Sequence, residues 1–395
     1  MKQFLCILLA ISLMMGIFAC GALAESEALS TEELLAKGIQ LQEGDGVEQD
    51  HARAMEYFLK AAESGNDEAL FRIGKCYQEG WGVEVDYALA MEWYLKAAEA
   101  GNGKAMNNIG VLYYNGLGVD QDFSRGMEWY LKSANAGIAI AMVNIGNSYR
   151  YSLGVDQDYA RAMEWYLKGA GKGYGVAMEM IGDLYFFGLG VDQDYALATE
   201  WYLKAAEAGD TDVARYIGDA YFEGRGADQD YGKAMEWYLK GAEAGDPVTM
   251  YSVGYLYRFG LGVEQDYALA MEWFQKAADG GDDEAMNIIG VLYDDGLGVE
   301  KDDALAMEWY LKAADAGNAN AMCNIGLLYY DGKGVSKDYK KAAEWFRKSA
   351  EGGCGEGMYR YAQMLEKGEG VDQNPDRAKE WYAKAEEAGY TPDNP

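Results

Sequence analysis

The sequence predicts an all-α protein, an α/α solenoid of ten tandem helix pairs, on three observations. Trp93, Trp129, Trp165, Trp201, Trp237, Trp273, Trp309, Trp345 and Trp381 stand 36 residues apart, and Tyr57 fills the slot before them. Gly-x-Gly turns keep the same period from Gly44/Gly46 to Gly368/Gly370, with Ser152 the one departure from the first glycine. No insertion or deletion breaks the register between residues 30 and 389. An unbroken period in the mid-thirties marks helix pairs that bury their apolar faces by stacking. The predicted organisation is a signal peptide at 1–24, a short segment at 25–29 and a C-terminal tail at 390–395. Between them lie ten repeats, 30–65, 66–101, 102–137, 138–173, 174–209, 210–245, 246–281, 282–317, 318–353 and 354–389.

The N-terminus reads as a targeting segment. Lys2 supplies a positive charge, Phe4 to Ala19 is an uncharged apolar run, and Ala22-Leu23-Ala24 matches a small-residue cleavage site, so processing is placed after Ala24. The apolar run is too short for a membrane span. The expected product is a secreted or extracytoplasmic chain, with a lipid anchor on Cys20 as the alternative, which Phe18 fits poorly. A formal charge of −31 argues against nucleic acid and anionic membranes, both of which require basic patches. Three cysteines remain after such a cleavage, Cys76, Cys323 and Cys354. Their odd number and lack of paired spacing give no disulfide framework and no metal motif, and Cys76 and Cys323 read as small buried hydrophobes.

Residues 66–101 illustrate the elements in order. A first helix is predicted from Asn66 to Glu79, with Ala69, Leu70, Ile73, Gly74, Cys76 and Tyr77 on one arc at 100° per residue. Gly74 recurs at the same slot from Gly38 to Gly326. Glycine inside a helix costs about 1 kcal/mol relative to alanine, so close approach of a second helix is the expected compensation. The Gly80-Trp81-Gly82 turn leads to Asp86, placed to cap a second helix from Tyr87 to Ala100. Aspartate holds that slot in nine repeats, and the tenth has Asn374-Pro375. Glu92 and Lys96 stand four apart in the favourable order, as do their equivalents from Glu56/Lys60 to Glu380/Lys384, which predicts a recurring ion pair. Gly101 closes the helix.

The pattern Ala-Met-x-x-Ile-Gly-x-Leu-Tyr-x-x-Gly-x-Gly-Val-x-x-Asp-Tyr, followed by Ala-Met-Glu-Trp-Tyr-x-Lys-Ala-Ala-x-x-Gly, resembles the Sel1-like repeat, a relative of the tetratricopeptide repeat. The resemblance covers essentially the whole mature chain. It implies helix pairs stacked into a right-handed superhelix, with the first helix of each pair lining the concave side, and a role in protein–protein contacts. Cysteine-rich relatives linked to β-lactam binding carry paired repeat cysteines, which this chain lacks. The end repeats carry polar residues at packing slots, Glu33 and Lys37 in the first and Glu386 in the last, as terminal repeats require.

The sequence offers no catalytic constellation and no cofactor motif. His51 is the single histidine, in the slot after the first cap of a second helix, and no partner for a triad or a zinc site lies beside it. The Asp120/Asp122, Asp156/Asp158 and Asp192/Asp194 turns lack the alternating ligands of a calcium loop; their second aspartate reads as a helix cap. One surface does stand out. First-helix slots equivalent to 71, 72, 75, 78 and 79 form an arc of about 120° opposite the packing face. Mid-chain they hold Tyr151, Phe186, Phe187, Tyr216, Phe222, Tyr251, Tyr255 and Phe259, with Arg150, Arg215 and Arg258 among them. Five of the 11 arginines fall on these 50 positions. Arg, Tyr and Phe are residue types suited to binding hot spots, so a groove is expected here. Asn108, Asn144, Asn287 and Asn324 are expected to offer amides to a peptide backbone, beside Asn107 and Asn147. The predicted function is a scaffold for a protein or peptide, acidic if the arginines meet it. The alternative is a glycan or cell-wall fragment stacked on the central rings. A hydrolase has no residue support.

Overall fold

The computed structural model describes residues 29–391, which form twenty α-helices and, among the described residues, no β-strand. The expected signal segment, its cleavage site at Ala24 and the alternative Cys20 lie outside the described residues, as does most of the tail. No described helix is long and apolar enough to cross a membrane.

The chain divides into two compact units, the first ending at Ile138 and the second starting at Ala139. The first holds α1 (Thr31–Glu43), α2 (His51–Ala62), α3 (Asp67–Glu79), α4 (Tyr87–Glu99), α5 (Gly103–Asn115) and α6 (Phe123–Asn135). The second begins with α7 (Ala139–Tyr151), α8 (Tyr159–Ala170), α9 (Gly175–Phe187), α10 (Tyr195–Glu207), α11 (Ala214–Glu223), α12 (Tyr231–Glu243) and α13 (Pro247–Phe259). It continues with α14 (Tyr267–Asp279), α15 (Asp283–Asp295), α16 (Asp303–Asp315), α17 (Ala319–Asp331), α18 (Tyr339–Glu351), α19 (Gly355–Lys367) and α20 (Pro375–Glu387). In each unit successive helices pair, odd with even, and each pair packs on the next.

The local rules behave as the sequence predicts. All ten even-numbered helices begin at an Asp or Asn whose side chain accepts a hydrogen bond from the first turn, as Asp86 does from the Leu89 N–H and Asn374 from the Arg377 N–H. Asp122, Asp158 and Asp194, which the sequence reads as caps, are such caps. The turn between paired helices is closed by one backbone bond from the cap, for example Asp86 N–H to Tyr77 O at 2.9 Å. Its first glycine has left-handed φ, 75° at Gly80, and Ser152 adopts the same conformation at φ 59°.

The mid-helix glycines serve the predicted close approach. A Cβ on Gly182 would stand 2.5 Å from Tyr202 Cε1, and the equivalent glycines from Gly38 to Gly326 would meet the matching ring at 2.3–2.8 Å. In these nine repeats the ring two turns into the even helix thus packs on the bare backbone of its partner. Tyr94, Tyr166, Tyr202 and Tyr310 are among the largest fully buried side chains as a result.

The predicted Glu–Lys ion pairs are corrected. In nine repeats the lysine ammonium sits over the face of the tryptophan three residues earlier, from Lys96 over Trp93 at 3.9 Å to Lys384 over Trp381 at 4.2 Å. The i,i+4 ion pairs among the described residues are instead Arg72–Glu68, Arg347–Glu351 and Arg360–Glu356. An exposed ion pair gains little in water, and a broad indole face one turn away offers the ammonium a contact that also covers apolar surface.

Candidate functional site

The arc singled out in the sequence is occupied by hydroxyl groups that reach it from behind. In three successive repeats the buried tyrosine of the even helix crosses the glycine gap and puts its hydroxyl on the slot equivalent to 75 of the odd helix. Tyr166 donates to Asn147 at 2.7 Å, Tyr202 to Asp183 at 3.0 Å and Tyr238 to Asp219 at 2.7 Å. Reading faces by helical spacing misses this, because the tyrosines belong to the core pattern of the other helix. Burial pushes the Tyr202 and Tyr238 hydroxyls far above the usual phenol range, with Asp183 and Asp219 adding to it.

Four of the predicted rings come together across two repeats of the second unit. Phe222 on α11 meets Tyr255 on α13 edge-on at 5.9 Å. Tyr255 in turn lies 4.6 Å from Phe259 and 6.4 Å from Tyr251. Tyr251 also packs on the buried Phe274, and burial together with Glu284 and Asp282 pushes its hydroxyl up to about 12. Phe259 remains 49% exposed. Arg258 lies beside Phe259, with its guanidinium carbon 5.2 Å from the ring centroid, and forms no ion pair among the described residues. Phe186 and Phe187 make a separate edge-on pair at 4.9 Å, backed by Tyr195. Tyr216 stacks on Tyr202, and with Phe186 it lines a cavity of about 90 Å³. Arg215 donates to the Tyr216 hydroxyl, and both line a cavity of about 400 Å³ with Asp212 and Asp246. Tyr151 and Phe187 are 56% and 58% exposed.

Arg150 is not a free cation. It is 8% exposed and donates to Asp183 Oδ2 at 3.1 Å from the next odd helix, with Met180 Sδ nearby. Asp183 therefore accepts from both Arg150 and Tyr202, which ties α7, α9 and α10 together. Sequence spacing placed Arg150 on the arc, but Asp183 lies at arginine reach one repeat on and captures it. The asparagines are corrected in part. Asn287 is buried and accepts from Asn324 at 3.0 Å, so these amides join neighbouring repeats to each other. Asn108, in the first unit, donates to the Tyr94 hydroxyl at 3.1 Å and accepts from Asn107. Asn144 is half-buried on α7.

The sequence reading also missed an acidic group beside these rings. Burial, together with Asp210, Asp183 and Asp212, raises the Glu179 carboxyl on α9 to about 7.

The family described as Sel1 repeat matches ten times, over residues 35–66, 67–102, 103–138, 139–174, 175–210, 212–246, 247–282, 283–318, 319–354 and 355–390. Among solved structures the chain is similar to c5321, a protective antigen present in uropathogenic Escherichia coli strains displaying an SLR fold, at 34% identity and a TM-score of 0.73. That alignment covers 91% of this chain and 77% of the other. It is also similar to a Sel1 repeat protein from Oxalobacter formigenes, at 28% identity and a TM-score of 0.59, over 84% of this chain and 94% of that one. The curated proteins give no match.

Proposed function

Because the chain belongs to the Sel1 repeat family, we propose that it is a non-enzymatic scaffold which binds a protein segment on the odd-helix face of its second unit. The observation that carries this reading is Arg258, a cation without a carboxylate partner among the described residues, bordered by the half-exposed Phe259 and backed by Tyr255, Tyr251 and Phe222. An arginine left unpaired in a chain of charge −31 is a local attractor for a carboxylate, and the rings offer apolar surface beside it. The segment it fits carries an acidic side chain next to an apolar or aromatic one. The rigid backing matters: rings already packed on the core lose little freedom on binding.

The scaffold is exported and processed after Ala24. Support for export comes from the apolar run at 4–19 and from the E. coli relative, which is described as a protective antigen.

A photo-crosslinking amino acid placed at Phe259, with the same group at Leu311 on α16 as control, tests the site in the native cell. The expected outcome is a protein adduct formed at position 259 and absent at 311. Adducts of equal yield at both positions contradict the proposal, and an adduct made of saccharide favours glycan binding.

A further inference from the structure

We infer that Cys323 and Cys354 are a thiol pair that closes reversibly into a disulfide between the ninth and tenth repeats, with Cys354 as the attacking sulfur. The two lie 31 positions apart in the sequence, and only the stacking of α17 and α19 brings them together. Cys354 packs against the buried cluster that contains Cys323, and both line a cavity of about 460 Å³ with Asn320, Asn324, Glu356 and Tyr390. That cavity is the route by which a small oxidant arrives.

The two sulfurs are in different states. Cys354 caps α19, where its sulfur accepts from the Gly357 N–H at 3.4 Å. Every other side-chain cap among the described residues is an oxygen from Asp, Asn or Ser, so a sulfur here is a departure in kind. The two thiols act on each other across the cavity that they share. The neighbouring Cys323 thiol, with the α19 backbone N–H groups and the Ser349 hydroxyl, outweighs burial and brings the Cys354 thiol down to about 6. Cys323, 2% exposed, is held well above its ordinary value by the same contact and by burial. The charged groups around the pair are Glu356 and Arg360, which are bonded to each other. A thiolate at a helix N-terminus beside a protonated thiol is the arrangement that thiol–disulfide exchange requires.

The reaction balances with a low-molecular-weight disulfide as oxidant. The Cys354 thiolate attacks it, forming a mixed disulfide and releasing one thiolate. That thiolate takes the Cys323 proton. Cys323 then attacks the Cys354 sulfur, forming the internal disulfide and releasing the second thiolate. Two electrons pass from the protein pair to the oxidant. Cys76 has no such partner: burial pushes its thiol up to about 11, and it serves as the internal control.

The test is glutathione disulfide added to the full chain at pH 7, followed by alkylation and peptide mapping, which separates the pair from Cys6 and Cys20. The expected result is a Cys323–Cys354 linked peptide, unmodified Cys76, and a melting temperature several degrees higher that returns on reduction. Cys323→Ser is expected to stop at a glutathione adduct on Cys354, and Cys354→Ser to leave Cys323 unmodified. Both thiols remaining alkylatable with helicity intact would overturn the inference. So would a glutathione adduct that persists on wild-type Cys354, or a disulfide joining two chains through it.

Discussion

Ser152 occupies a backbone position that nine other repeats give to glycine, and it holds φ 59° there. A side chain in the left-handed region costs roughly 1 kcal/mol, since Cβ crowds the following carbonyl. Its hydroxyl donates to the Val155 carbonyl at 3.1 Å and recovers part of that cost. Ser152→Gly is expected to stabilise the chain by up to about 1 kcal/mol, the gain being reduced by glycine's larger unfolded-state entropy. Chemical denaturation reads this directly, and a loss of stability would mean that the hydroxyl bond outweighs the strain. At this scale the sequence was legible where a single slot decides the outcome: the caps, the turn glycines and the ring beneath each glycine. It was illegible where a side chain has a choice of partners. Arg150 and Arg258 hold the same slot, yet one is captured by Asp183 and the other is not. Lys96 had a carboxylate one way and an indole the other.

Nine of the ten helix pairs are held by the fit of one ring onto one bare stretch of backbone. At Gly182 the missing Cβ leaves room for Tyr202, whose hydroxyl then passes through to Asp183. Gly182→Leu drives the ring out and breaks that hydrogen bond as well. A destabilisation of about 1–3 kcal/mol follows from overpacking alone, read as a lower denaturation midpoint. An unchanged midpoint would show that the pair can open without cost. The same architecture explains why half of the candidate site was hidden in the sequence. Helical periodicity assigns each residue to a face of its own helix. It does not reveal that a core residue of the partner helix reaches through to that face, nor that rings in neighbouring repeats back one another, as Phe222 backs Tyr255.

At the scale of the molecule the dominant feature is surplus negative charge, and several carboxyls are partly withdrawn from water. Glu179 is raised from 4.5 to about 7 by burial and then by Asp210, Asp183 and Asp212; Asp210, Asp219 and Asp282 are raised as well, chiefly by burial. A carboxyl whose folded pKa exceeds its unfolded one binds protons more tightly when folded. Its contribution is favourable in acid and is lost as pH rises from the unfolded value through the folded value. For Glu179 that window runs from 4.5 to about 7. The melting temperature is therefore expected to fall by a few degrees between pH 5 and pH 8, and Glu179→Gln to flatten that fall. Equal slopes in the two proteins would remove Glu179 as its source.

The repeat count and helix order were plain at this scale because one period runs through 30–389, whereas the free arginine emerged only from the three-dimensional pairing of charges. The proposed binding rests on that arginine. The most direct measurement is the dissociation constant of the partner captured at position 259, for wild type, Arg258→Ala and Phe259→Ala, alongside each melting temperature. Neither side chain is buried, and Arg258 has no ion pair among the described residues, so both variants should melt as wild type does. Each should weaken binding by about 1–3 kcal/mol, roughly five- to 150-fold. Unchanged affinity in both variants, with the fold intact, would contradict the assignment of this face as the binding site.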